Sequence, residues 1–411
     1  MTPIRFPNHA PITAFDRAGA ELEVGGVPLV RLAARVGRTP FYACSREAIS
    51  ARVGDLRKAL PAAVRLHYAM KANPMPAVVA HLVGLTDGID VASAREMHVA
   101  LDVGADSRHM SFAGPGKTAG EISQAIAAGV AINLESEGQY EAALEAATAL
   151  GIAPRLAIRI NPAFELKSSG MQMGGGPKPF GIDEDRVPAL MARMRADGIV
   201  PVGLHIYSGS QNLNPEAIIE AQRNSVQLGI RFAAQLSDGF EWLNIGGGFG
   251  VPYFPGEAPL DVTRIGEALA PLCDEAAQHG TGPLVLELGR HLVAEAGVYV
   301  TRVIDRKVSR DRTYLVVDGG LHHNLAASGN FGQVLRKNYP VAVGNRLDAE
   351  TTEVQTVVGP LCTPLDLLAD RMELARAEVG DLVVVFMAGA YGPSASPTRF
   401  LSHPEPGEVL V

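Results

Sequence analysis

From Thr39 to Glu287 the chain repeats one pattern eight times: a short apolar run, a turn, then a stretch with helical spacing. The apolar runs are Leu66 to Met70, Gly88 to Val91, Met110 to Phe112, Ala131 to Leu134, Arg155 to Ile160, Val202 to Tyr207, Trp242 to Ile245 and Leu284 to Glu287. The clearest helical stretch sets Tyr140, Ala143, Leu144, Ala147 and Leu150 on one face behind Ser136, a residue suited to capping. Strands that alternate with helices pair in parallel, and eight of them read as a (β/α)8 TIM barrel. After about residue 288 the texture turns β-rich, as in Gly297-Val298-Tyr299-Val300-Thr301-Arg302-Val303 and Asp381-Leu382-Val383-Val384-Val385-Phe386. The expected organisation is α/β: a barrel over 39–287 and a mostly antiparallel β domain built from 1–38 and 288–411. A chain of 411 residues suits two such domains.

Lys+Arg of 36 against Asp+Glu of 44 gives a net charge of −8 without a basic run, so nucleic acid and anionic membrane are poor partners. The start, Met1-Thr2-Pro3-Ile4-Arg5-Phe6-Pro7, lacks an apolar signal core, and no apolar stretch reaches the ~18 residues of a membrane span. Cys44, Cys273 and Cys362 have no paired spacing, which argues against a disulfide framework and a structural zinc. No metal site is expected: His322-His323 are adjacent, and neighbours on a strand point to opposite faces. The expected compartment is the cytoplasm.

In such barrels active sites sit at the carboxyl ends of the strands. Lys71 closes the first run, ahead of Asn73-Pro74, which cannot continue a ladder. Alone it reads first as a solvated lysine opening a loop. Its second reading is a partly desolvated amine of lowered pKa, ready to form a Schiff base. Gly246-Gly247-Gly248-Phe249-Gly250 follows the seventh run, where a glycine backbone can approach a phosphate through its N–H groups. Ser208-Gly209-Ser210-Gln211 can add a hydroxyl. Glu287-Leu288-Gly289-Arg290 closes the eighth run. A carboxylate there can keep a proton on a pyridine nitrogen, and Arg290 can hold phosphate or a substrate carboxylate; by itself the pair also reads as a surface ion pair.

Tyr68-Ala69-Met70-Lys71-Ala72-Asn73, Gly246-Gly247-Gly248-Phe249, Glu287-Leu288-Gly289-Arg290, Gly359-Pro360-Leu361-Cys362-Thr363-Pro364-Leu365-Asp366 and Gly389-Ala390-Tyr391-Gly392 occur in an order that resembles the pyridoxal-phosphate decarboxylases of the alanine-racemase-like fold. That family includes the ornithine, arginine and diaminopimelate decarboxylases. The resemblance runs from about residue 39 to residue 400. It implies pyridoxal 5'-phosphate (PLP) as cofactor, with Lys71 as its Schiff-base lysine and Glu287 on its ring nitrogen. Ser210, Gly247, Gly248, Gly289, Arg290 and Tyr391 would surround the phosphate. It also implies a homodimer with shared active sites, in which Cys362 of one subunit returns a proton to the quinonoid carbon of its neighbour after CO₂ leaves. Thr363 and Asp366, on the same motif, and Arg290 are the expected substrate contacts.

Two departures from the family pattern bear on substrate. Where the motif is His-x-His-x-Gly-Ser, this chain reads His205-Ile206-Tyr207-Ser208-Gly209-Ser210, and either His205 or Tyr207 can lie against the cofactor ring. Diamine-producing relatives carry an acid after the cysteine to grip a distal ammonium, whereas a hydroxyl at Thr363 cannot neutralise a buried cation. The residues that diaminopimelate decarboxylases use after Asp-Ala-Gly-Met are also missing from Asp318-Gly319-Gly320-Leu321-His322-His323-Asn324-Leu325-Ala326. Met171-Gln172-Met173-Gly174-Gly175-Gly176-Pro177-Lys178-Pro179-Phe180-Gly181 and His205 to Gln211 look like a subset of the family. It comprises decarboxylases of glutamyl groups tethered to an acyl carrier protein and those associated with exosortase systems. The leading expectation is decarboxylation of an L-amino acid or an amino-acyl carrier conjugate, glutamyl-type. Its alternatives are a diaminopimelate, ornithine or lysine decarboxylase, a PLP-dependent amino-acid racemase and a non-catalytic PLP-binding regulator.

Overall fold

In a computed structural model, which describes residues 4, 9–164, 171–172, 174–333 and 336–411, the eight apolar runs form one closed parallel sheet. Its strands are Arg65–Ala69, Gly88–Val91, Met110–Phe112, Ala131–Leu134, Leu156–Asn161, Gly203–Ile206, Trp242–Gly247 and Leu284–Leu288. They neighbour one another in chain order, and the eighth pairs back with the first through Glu287 opposite His67. Most residues of these strands are buried on both faces, as a barrel wrapped by helices requires. The outer residues Leu156 and Ile158 are wholly buried, and replacing Ile158 by alanine costs about 2–5 kcal/mol.

The helices start where short polar side chains can satisfy free N–H groups. Ser136 accepts a hydrogen bond from the Gln139 N–H and opens Glu137–Leu150, of which Tyr140 and Ala143 are buried. The expected apolar face narrows at its end, where Leu150 is exposed. Thr118 and Glu121 form a reciprocal capping box ahead of Ala119–Ala128.

The chain divides into two compact units: Val53–Gly250 with Leu260–Gly289, and Met1–Arg52 with Val251–Pro259 and Arg290–Val411. The strand Phe41–Cys44, within the segment expected to form the barrel, instead pairs with Gly297–Ser309 and Gly407–Leu410 in the second unit. A short run buried on both faces fits the middle of either sheet, and only its pairing partners decide between them. The second sheet orders its other strands Val341–Val343, Leu382–Val385, Gly297–Ser309, Arg312–Val317, Thr352–Val358 and Leu367–Ala375, with two parallel pairs, Arg312–Val317 beside Thr352–Val358 and Gly407–Leu410 beside Phe41–Cys44. Near the N-terminus Glu21–Val24 is a strand as expected, but Leu29-Val30 opens the helix Leu29–Val36 rather than extending a strand. Pro28 ends the preceding ladder, and Leu29, Leu32 and Ala33 share one buried face.

Residues 165–170 and Met173, inside the loop from Asn161 to Gly181, lie outside the described residues, as do all of Met1 to Pro7 except Ile4. Among the described residues no helix is long and apolar enough to cross a membrane. No group of three potential metal ligands occurs among them either. His322 and His323 lie in a turn, not on a strand, and their rings face each other at 3.7 Å instead of pointing apart.

Candidate active site

In the first unit Lys71 sits in the single helical turn Met70–Ala72, which begins where the first barrel strand stops. Gly289, at the end of the eighth strand, lets this turn come close: a Cβ there would lie 2.9 Å from the Ala69 carbonyl and from the Ala72 methyl. The approach brings Lys71 Nζ to 3.2 Å from Glu287 Oε1 and to 5.4 Å from the centre of the Tyr207 ring. The lysine side chain is 41% exposed, and its ammonium is paired with a carboxylate instead of isolated in an apolar pocket.

Glu287 is 5% exposed, and its Oε2 lies 3.0 Å from His205 Nε2. Burial alone would raise its pKa, but Lys71 and His205 hold the carboxyl well below the usual carboxylate range. His205 is buried inside the sixth strand, while Tyr207 stands one residue past its end, with the two rings edge-on at 6.4 Å. Histidine therefore faces the carboxylate and tyrosine faces the amine.

The glycines after the seventh strand are packed against neighbouring backbone. A Cβ on Gly247 would meet the Glu287 carbonyl at 2.2 Å, and one on Gly248 would meet the Gly209 carbonyl at 2.1 Å. Gly246 and Gly248 have φ of +74° and +72°, the left-handed region that glycine adopts without strain. Asn244 Oδ1 accepts the Gly246 N–H and fixes the turn. Gly209–Ser210 forms a two-residue strand beside these glycines. Lys71, His205, Tyr207, Ser210, Gly247, Gly248, Glu287 and Gly289 thus gather where strands one, six, seven and eight end.

Of the polar residues that line the inside of the barrel, sequence reasoning named only His205 and Glu287. Each barrel strand contributes at least one polar side chain to the inner face, among them His67, Asp90, Ser111, Asn133, Arg159, His205, Asn244 and Glu287. Asp90 Oδ1 accepts from Ser111 at 2.6 Å and lies 3.2 Å from His67 Nδ1, while Asn133 donates to Ser111 at 3.0 Å. Arg159 donates to Glu135 at 2.9 Å, and Lys117, whose amine burial pushes down to about 8, holds two carbonyls beside them. One polar residue in each apolar run was the available signal.

In the second unit Arg290 opens the short helix Arg290–Val293. Its Nη1 donates to the Tyr253 hydroxyl at 2.9 Å, and its guanidinium lies 5.4 Å and 4.7 Å from the Tyr253 and Tyr391 ring centres. Its buried Nε has no hydrogen-bond partner among the described residues, so the fork keeps donor capacity for an anion. Tyr253, stacked on Tyr339 at 4.8 Å, is a support that no motif signalled.

Cys362 is exposed on the loop between Thr352–Val358 and Leu367–Ala375. Thr363 Oγ1 accepts the Leu365 N–H at 3.3 Å. Asp366, expected to touch substrate, is instead a buried clamp: 2% exposed, it accepts the Leu321 N–H at 2.6 Å and the Leu361 N–H at 2.8 Å. A Cβ on Gly320 or Gly359 would lie 2.0 or 2.3 Å from its carboxylate, which is why glycine stands at both. Each oxygen accepts a backbone N–H, and the buried carboxylate ties two segments together.

A primary amine, a buried anionic carboxylate, a flanking aromatic ring and a glycine-built turn at the same strand ends together fit PLP. The family model described as "Pyridoxal-dependent decarboxylase, pyridoxal binding domain" matches residues 46–294. The chain is 38% identical to the L-glutamyl-[BtrI acyl-carrier protein] decarboxylase of Niallia circulans, over 90% of this chain and 88% of that one. It is 30% identical to the diaminopimelate decarboxylase of Thermoplasma acidophilum, over 97% and 93%. The structure of diaminopimelate decarboxylase from M. jannaschii in co-complex with L-lysine superposes with a TM-score of 0.87 at 26% identity, covering 97% of this chain and 93% of that one.

Proposed function

The chain belongs to the pyridoxal-dependent decarboxylases, enzymes that use PLP, and from that premise we propose that it decarboxylates a glutamyl-type amino acid presented as a thioester on an acyl carrier protein. The observation that carries this reading is Thr363. Its hydroxyl accepts one N–H of its own loop, and it offers no carboxylate to a distal ammonium. A tethered glutamyl group has no such ammonium, and the relative at 38% identity is named for that substrate.

PLP, when bound, supplies a ring that accepts the electron pair left as the α-carboxylate departs. We assign Lys71 to its aldehyde carbon, Glu287 to its ring nitrogen and Tyr207 to its ring face, with Ser210, Gly247, Gly248, Gly289, Arg290 and Tyr391 assigned to its phosphate. Glu287, anionic over the working pH range, would hold a proton at the ring nitrogen, and His205 Nε2 lies 3.0 Å from its second oxygen. Cys362 delivers a proton from Sγ to the substrate α-carbon, from the neighbouring subunit of a homodimer.

The test is CO₂ release by the PLP-loaded protein from glutamyl-loaded carrier beside a panel of free L-amino acids. Release from the tethered substrate alone is the expected result. Fast turnover of free diaminopimelate, ornithine or lysine would replace this substrate assignment.

A further inference from the structure

In the second unit a groove of about 540 Å³ crosses the face of the β-sheet. One end is walled by Lys307 and Arg312, on either side of the turn between Gly297–Ser309 and Arg312–Val317. The other end reaches Leu361 and Thr363, the residues flanking Cys362. We propose that this groove seats the phosphopantetheine arm of the carrier, with its phosphodiester at Lys307 and Arg312 and its thioester end at the Cys362 loop. The inference rests on the carrier-linked reading above.

Register supports the direction. Lys307 lies opposite Tyr314, Tyr314 opposite Thr356, and Val316 opposite Val358, so these side chains form adjacent rows on one face. Because Arg312–Val317 runs parallel to Thr352–Val358, Arg312 stands at the end remote from the loop that follows Val358. Four residues from Arg312 to Val316 span about 13 Å, a length of the order of the extended pantetheine chain. The rows alternate hydroxyl and apolar groups, Tyr314 and Thr356 beside Val316 and Val358, which suits amides joined by methylenes.

Charge supports the polarity. The protein carries a net −8, yet among the described residues Lys307 and Arg312 enter no ion pair, while neighbouring Arg306 is paired with Glu353. The two carboxylates in the groove are engaged: Asp366 with backbone N–H groups, Asp370 with Arg371. Asp305, opposite Val316, shares the face of Lys307 but does not line the groove, and Asp311 lies in the turn of the hairpin. Two exposed cations at one end of a polar–apolar trough complement a monoanionic phosphodiester.

The test is calorimetric titration of the PLP-loaded protein with 4'-phosphopantetheine and with pantetheine, for wild type and the K307E/R312E variant. The phosphorylated arm is expected to bind wild type about tenfold more tightly at low salt, a margin that shrinks as salt is added. In the variant the two ligands should bind alike. Equal binding to wild type, or a phosphate preference that survives in the variant, overturns the groove. So does a variant that sediments as a monomer where wild type is a dimer, since the face then belongs to a second copy. Turnover of glutamyl-loaded carrier is scored separately. Phosphate-selective binding without turnover keeps the groove and removes the glutamyl substrate; turnover without selectivity does the reverse.

Discussion

Lys71 Nζ and Glu287 Oε1 stand 3.2 Å apart although 216 residues separate them, because the first and eighth barrel strands are hydrogen-bonded neighbours. The amine assigned to the cofactor aldehyde and the carboxylate assigned to its ring nitrogen are thereby held on adjoining strand ends. Lys71→Ala should abolish the visible absorption of bound PLP and lower turnover by at least about a thousandfold. Glu287→Gln should keep the absorption and lower kcat by about a hundredfold or more, since a neutral amide cannot stabilise the protonated ring. Steady-state CO₂ release and absorption spectra separate the two; a coloured, active Lys71→Ala protein would refute the assignment.

Cys362 is exposed on its loop, as a group meant for another subunit would be. Cys362→Ala should lower CO₂-coupled product formation by about a hundredfold or more. Mixed with Lys71→Ala, it should recover up to about a quarter of wild-type activity, because one of the two shared sites in a hybrid dimer is then intact. No recovery after subunit exchange, confirmed by mass spectrometry, would place both groups in one chain.

Thr363 is the residue on which substrate choice is proposed to turn. Thr363→Glu should shift the ratio of kcat/KM for free L-lysine over glutamyl-loaded carrier by about tenfold or more, the worth of one charge-assisted hydrogen bond. An unchanged ratio would show that the distal group of the substrate does not reach this loop.

The Asp366 carboxylate ties the Gly320-Leu321 turn to the Cys362 loop through two buried N–H groups. Asp366→Ala leaves both donors unsatisfied and should cost about 2–5 kcal/mol in urea unfolding. Asp366→Asn, with one acceptor left, should cost about half as much. If the alanine variant is as stable as wild type, the clamp is not structural.

Both ring nitrogens of buried His322 lack a hydrogen-bond partner among the described residues. Burial, with His323 and His403 alongside, pushes its pKa down to about 3. The unfolded chain binds a proton near pH ~6.5, whereas the folded chain refuses it until about pH 3. Stability therefore falls as pH drops between these values, by up to about 1.4 kcal/mol per pH unit from this residue alone. His322→Leu should flatten that slope in urea midpoints taken across the window; parallel slopes would mean that the ring accepts the proton in the fold.

Much of this molecule is written locally. Runs such as Ala131–Leu134 and Met110–Phe112 are buried on both faces and bounded by turn residues, so their positions in the chain needed no partner to be recognised. Ser136 marks a helix start for the same reason, since a cap acts within three residues. The motifs around Lys71, Gly247, Glu287 and Cys362 stated which chemistry to expect, because their order along the chain is a local property.

What the sequence could not decide was membership and orientation. Phe41–Cys44 has an apolar pattern that fits either sheet, and its place follows from hydrogen bonds to Gly297–Ser309, far along the chain. Asp366 reads as a contact for substrate in sequence, whereas the fold brings the distant Leu321 N–H, beside the local Leu361 N–H, onto its carboxylate. The polar residues His67, Asp90, Ser111, Asn133, Arg159, His205, Asn244 and Glu287 look unrelated in sequence and form one inner layer only when the barrel closes. Local patterns determine what each segment can be, through backbone preference and side-chain periodicity. Which buried polar group finds which partner depends on non-local pairing, and only the closed tertiary structure sets that.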